Sequence, residues 1–256
     1  MQALFDWLTF HLSWWWLAGT AAVLALLTVI KILLLPKKPT QTKFIYCNSQ
    51  LLGEKDVQSE CIGVISSDTS LFAVIASGNI DNRQGCFNAE VALETFKDAY
   101  KAGSYKEMPI DTFFDQAMTK TLKTISDNVY EHNTPPSVII AVMEKGYLHI
   151  AESHGNLRGS TVYLYKTGRL FELNISRTVS HTKVSTIKLN GNEVIMIASK
   201  GAAQSLKEIE IIRCLSQAMP PIRKCGKIET IIKNKRLINQ ENASFIIVEQ
   251  TARWGR

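Results

Sequence analysis

The chain has 256 residues, a net charge of +6, 46% hydrophobic and 20% charged side chains, a composition that allows a sizeable core and excludes wholesale disorder. Its basic residues gather only at Lys37 and Lys38, at Arg223, Lys224 and Lys227, and at Lys233, Lys235 and Arg236; without interleaved aromatics or a binding motif they exclude a nucleic-acid partner and suit solvated helix ends or membrane phosphates. Five cysteines with no CxxC pair and no zinc spacing exclude a disulfide framework and a structural metal, and point to reduced thiols in a cytosolic compartment.

From Trp7 to Ile30 no side chain is formally charged, and His11 is the only titratable interruption. About 20 apolar residues in helical form cross a bilayer, so this stretch predicts a transmembrane helix. Trp14, Trp15 and Trp16 suit the headgroup interface, and Lys31, Lys37 and Lys38 follow where only Asp6 precedes. That asymmetry places the C-terminal side in the cytoplasm. A basic n-region and a small-residue cleavage site are lacking, which argues against a cleaved signal peptide. The resulting division is an anchor over 1–35, a linker over 36–43, a globular domain over 44–250 and a tail over 251–256.

Within the domain, Leu71–Ala76, Val138–Met143, Leu148–Ala151, Thr161–Tyr165, Val194–Ala198 and Phe245–Val248 are short, apolar and rich in β-branched residues, the pattern of buried strands. Gly146 and Gly168 stand where hairpin turns are needed. Ala89–Lys101 has helical periodicity and a stop at Gly103. Asp111–Tyr130 carries a stripe of Phe114, Met118, Leu122, Ile125 and Val129, with Asp111 placed to cap it. A third helix is predicted over Lys207–Gln217, ended by Pro220-Pro221, and a fourth near Gly226–Lys233. This order describes an α+β domain with sheets covered by helices.

Five phrases in this order resemble the metal-dependent Ser/Thr phosphatases of the PPM family, the protein phosphatase 2C (PP2C) type. Leu71–Gly78 (LFAVIASG) is similar to a strand ending in Ala-Asp-Gly, and Asn88–Phe96 to the helix after it. Val138–Gly168 resembles a strand–turn–strand meander with a Tyr-Leu-x-x-x-Gly hairpin. Ile197–Gly201 (IASKG) stands for Ala-Ser-Asp-Gly, and Glu241–Val248 (ENASFIIV) for a closing Asp-Asn-Ala-Thr strand. The resemblance spans about Phe44 to Glu249. It implies an αββα sandwich of two antiparallel sheets flanked by helices, preceded here by the transmembrane helix.

It also implies a site in which aspartates hold two Mn²⁺ or Mg²⁺ ions that activate a water for attack on phosphorus. Carried over residue by residue, those aspartates fall on Cys61, on Ser77 before Gly78, on Lys200, and on Glu241, which alone keeps a carboxylate. The family's phosphate-binding arginine matches Asp56, and its Gly-Asp-Ser-Arg turn matches His154–Gly159. An ammonium next to a divalent ion costs several kcal/mol even at an effective dielectric of about 20. Lys200 is therefore expected either to replace a cation and pair with Glu241 or to project into water.

No other chemistry replaces it. None of the cysteines has an arginine six positions on, Cys61 and His154 would need the fold to bring them together, and no phosphate loop or GxGxxG is present. His132, His149 and His181 are scattered. Asp68, Asp81 and Glu60 are the acids near enough in sequence to rescue one ion, and Arg83, Arg158 and Lys200 are the candidate phosphate-binding cations. The expectation is a degenerate, pseudophosphatase-like module with no cofactor, acting by binding, regulation or scaffolding on the cytoplasmic face of a membrane. Its expected partner is a kinase, a phosphoprotein or a membrane complex. The alternative is an atypical phosphatase using one Mn²⁺ or Mg²⁺ at Glu241.

Overall fold

The structure, a computed structural model, describes residues 18–31, 41–128, 134–153, 160–173, 177–179, 182–235 and 237–253. Residues 18–31 are helical (α1) and belong to a unit separate from Gln41–Arg253. Their side chains, Leu24, Leu26 and Leu27 among them, are exposed. Among the described residues no helix is long and apolar enough to cross a membrane; the rest of the predicted anchor, 1–17 and 32–35, lies outside them.

The strongest strand signals in the sequence are runs apolar on both faces, which arise when a sheet is covered twice. Two antiparallel sheets meet this description. The first has the order β1 (Gln41–Leu51), β11 (Ala243–Arg253), β10 (Val194–Ala198), β6 (Thr161–Lys166), β7 (Arg169–Glu172). The second runs β2 (Glu60–Ser66), β3 (Ser70–Ser77), β4 (Ser137–Glu144), β5 (Tyr147–Ser153), β9 (Thr182–Lys188), β8 (Arg177–Val179). Side chains alternate between layers. Leu71, Ala73 and Ile75 of β3 join Ile195 and Ile197 of β10 in a core between the sheets. Their neighbours Phe72, Val74 and Ala76 face outward, against α2 (Arg83–Lys101) and α3 (Ile110–Asn128). On the far side Met196, Phe245 and Ile247 pack under α5 (Glu208–Leu215) and α6 (Pro221–Lys235). The result is the α+β sandwich with two antiparallel sheets.

The hairpins form where glycines were expected. Lys145-Gly146 (φ 51° and 78°) and Thr167-Gly168 (φ 48° and 81°) take positive φ at both central positions, the type I′ geometry that suits the twist of two-residue hairpins. The helices differ from expectation in their ends. Helix α2 begins at Arg83, six residues upstream of the predicted start, and Asn82 caps it by accepting the Gly85 N–H at 2.9 Å. Asp111 does not cap α3: it lies within the first turn and accepts from Thr112 N at 2.7 Å. The buried face of α3 is Phe113, Phe114, Ala117, Thr121 and Ile125, and Leu122 is 40% exposed. Pro221 opens α6 rather than only closing the helix before it, since a first-turn residue has no intrahelical use for its N–H.

Candidate functional site

At one edge of the sandwich the end of β3, the start of β2, the end of β10 and the start of β11 converge. A short helix, α4 (Lys200–Ser205), leaves from the same edge. Glycines let these segments approach. A Cβ on Gly78 would lie 1.9 Å from the Gly85 carbonyl oxygen, and one on Gly201 2.1 Å from that of Asn242. Gly53 closes on the same loop from the other side, with its N–H donating to Asn242 Oδ1 at 3.1 Å, while Asn242 Nδ2 donates to the Val57 carbonyl at 2.9 Å. These contacts wall a cavity of about 210 Å³ lined by Ser59, Glu60, Ser77, Asn79, Asp81, Thr134, Lys200, Glu241 and Asn242.

Two lysines neutralise two of its carboxylates. Lys200 Nζ donates to Glu241 Oε1 at 2.6 Å, with side chains 33% and 39% exposed. Lys55 Nζ lies 2.8 Å from Asp81 Oδ2, and Ser59 Oγ donates to Asp81 Oδ1 at 3.0 Å. The hydrogen bond that Lys55 donates to Asp81 holds its ammonium above the ordinary pKa, and Glu241 adds to the effect. Glu60 differs. It is 7% exposed, and burial pushes its carboxyl up to about 7. The neighbouring hydroxyls of Ser244 and Ser199 favour its charged form, whereas the charges of Glu241 and Asp81 oppose it. Neither hydroxyl closes a hydrogen bond on Glu60 Oε2, which has no partner among the described residues.

The structure thus brings together Ser77, Lys200 and Glu241, with Gly78 buried at their turn. Cys61 is not among them. It faces the helical layer with Ile65, whereas Ile62 and Val64 face the core between the sheets. By the same alternation Glu60 points to the cavity side, and it pairs in register with Ser77. Burial pushes the Cys61 thiol up to about 11, which disfavours the thiolate that a nucleophile needs. Arg83 is an exposed first residue of α2 and does not line the cavity. Arg158 and His154 lie outside the described residues. Asp81 and Glu60, considered in the sequence only as rescuing acids, line the cavity, whereas Asp68 is exposed on a turn. Lys55 carried no signal: its part depends on a loop that only tertiary contacts place.

No family model matches this chain, and no curated protein matches it in sequence. Solved structures do match in fold. The Mycobacterium tuberculosis serine/threonine phosphatase PstP/Ppp superposes with a TM-score of 0.64 at 9% identity, over 81% of this chain and 98% of that one. The S. agalactiae serine/threonine phosphatase gives 0.62 at 12% identity, over 80% and 99%. The structure of the PP2C phosphatase domain and a regulatory-domain fragment of SpoIIE from Bacillus subtilis gives 0.62 at 8%, over 84% and 64%. This chain has the fold of the PP2C/PPM Ser/Thr phosphatases.

Divalent ions of the kind that fold implies require several hard oxygen ligands. The residues here do not fit. Glu241 and Asp81 each already hold an ammonium group within 2.8 Å, and among the described residues no group of three His, Cys, Asp or Glu is arranged to hold a metal ion.

Proposed function

We propose that this chain is a PP2C-like domain that binds without hydrolysing, tethered by its N-terminal helix to the cytoplasmic face of a membrane. The observation that carries the reading is the Lys200–Glu241 ion pair at 2.6 Å. An ammonium group seated on a carboxylate of the cavity supplies the positive charge a metal ion would bring, yet it cannot bind and acidify a water. The Lys55–Asp81 pair does the same at the neighbouring carboxylate. The exposed apolar side chains along 18–31 favour the tether, because a helix hydrophobic on all sides needs a lipid or protein environment. The partner this location suits is a kinase, a phosphoprotein or another component of a membrane complex.

A rival reading, an atypical phosphatase using one Mn²⁺ or Mg²⁺, draws on the three carboxyls of Glu60, Asp81 and Glu241 around one cavity. Hydrolysis of p-nitrophenyl phosphate with added Mn²⁺, beside a calorimetric Mn²⁺ titration, separates the two. The expected result is neither turnover nor heat. Mn²⁺-dependent turnover that disappears in Glu241→Ala would establish the rival.

A further inference from the structure

Glu60 is the lining carboxyl that no lysine answers. Lys55 holds Asp81 and Lys200 holds Glu241, while Glu60, 7% exposed, has the hydroxyls of Ser199 and Ser244 beside it and, among the described residues, leaves Oε2 without a hydrogen bond. Buried polar atoms are nearly always satisfied, so an orphan beside a cavity calls for a partner, which a bound donor would supply. Among the described residues the charges at the cavity are three carboxyls against two ammonium groups, so the ionised site has room for one positive charge.

We propose that this cavity is a receptor for a guanidinium group, with Glu60 as its counter-charge. The inference rests on the non-hydrolytic reading and gives that site a ligand class. A phosphoryl group is the wrong ligand, since it would enter among three carboxylates while both lysines are engaged. A divalent ion would lie beside two ammonium groups. A guanidinium brings a single charge, is more weakly hydrated than an ammonium, and offers five N–H donors in a plane. Two of those donors suit a carboxylate in parallel, and the Ser77 hydroxyl and the Asn242 side chain stand on the same walls. At about 210 Å³ the cavity is below the roughly 300–1,000 Å³ of drug-sized pockets, a size for a side-chain head group. Its mouth is reached from solvent beside Lys200 and Glu241, whose side chains are 33% and 39% exposed.

Calorimetric titration of the purified full-length chain in detergent micelles tests this, with N-acetyl-arginine amide as the probe. Saturable one-to-one binding is expected, weaker by about tenfold or more with N-acetyl-lysine amide and in Glu60→Gln, the loss of a charge-assisted bidentate pair. Lys200→Met, which frees the Glu241 carboxylate, is expected to tighten binding, so the two variants move in opposite directions even if one of them is less stable. Free arginine binding as well as the blocked amide supports the same group and points to a small-molecule source; preference for the amide points to an arginine of a partner protein. Equal affinity for the lysine probe, unchanged affinity in Glu60→Gln, or no binding overturns the proposal. If no Mn²⁺-dependent turnover accompanies such a failure, the non-hydrolytic reading stands; if turnover is found, both fall.

Discussion

Glu60 gives the site its pH dependence. Its carboxyl titrates near 4.5 when unfolded and at about 7 in the folded chain, so between those values the folded state holds the extra proton. Stability from this group is therefore fully present below pH 4.5 and is lost as pH rises through 7. At about 1.4 kcal/mol per unit the loss is on the order of 3 kcal/mol. Thermal melts from pH 5 to 8 should show it, and Glu60→Gln should flatten the profile and melt higher than the parent at pH 8. The Lys200–Glu241 pair behaves differently. It is partly exposed to solvent, and such pairs contribute about 1 kcal/mol or less. Glu241→Gln should therefore change the denaturation midpoint little, and a large loss would show that the pair is structural.

The elements around the cavity are held by backbone contact more than by side chains. The turn after β3 rests on the first turn of α2 through Gly78 and Gly85, and α4 rests on the β11 entry through Gly201. A methyl group at 1.9 or 2.1 Å from a carbonyl oxygen has no flexible neighbour to displace. Gly78→Ala and Gly201→Ala should each cost about 3 kcal/mol or prevent folding, read as a fall in the urea midpoint. On the helical layer, Phe96 is fully buried between Phe113 and Phe114, with ring centroids 6.3 and 5.0 Å away. Phe96→Ala should cost about 3–5 kcal/mol, an effect independent of the cavity. Two of the elements missed in the sequence share a cause. β1 and β2 are edge strands, each hydrogen-bonded to one neighbour; only part of each is buried, so polar residues interrupt the pattern that marks a strand.

On the scale of the whole molecule, the helical residues 18–31 and Gln41–Arg253 are separate units, and the core lies wholly within the second. Removing residues 1–35 should, on the proposed tether, release the chain from the membrane fraction and cost the helical ellipticity of 18–31, while the thermal midpoint of the Gln41–Arg253 unit stays unchanged. Under the proposed reading, in which a tether sets where the domain meets its partner, the truncated form should lose function in cells; full cellular activity of that form would contradict the proposed role of location.

The sequence by itself determined an α+β domain with covered sheets, and its resemblance to the PPM phosphatases implied the sandwich. Layers that bury both faces of their central strands leave long apolar runs, and positive-φ turns leave glycines, both readable in one dimension. The resemblance also set Ser77, Lys200 and Glu241 at one site, because the phrases that contain them stand at strand ends in a recognisable order, but it set Cys61 there as well, which the structure turns to the helical layer. Tertiary structure alone decided what lies between them. Whether Glu60 or Cys61 faces the cavity depends on a period of two residues, so an alignment one residue out exchanges core for helical layer. That Lys55 holds Asp81 depends on a loop closing over β3, and that Glu60 is left without a partner depends on which charges the fold has already paired.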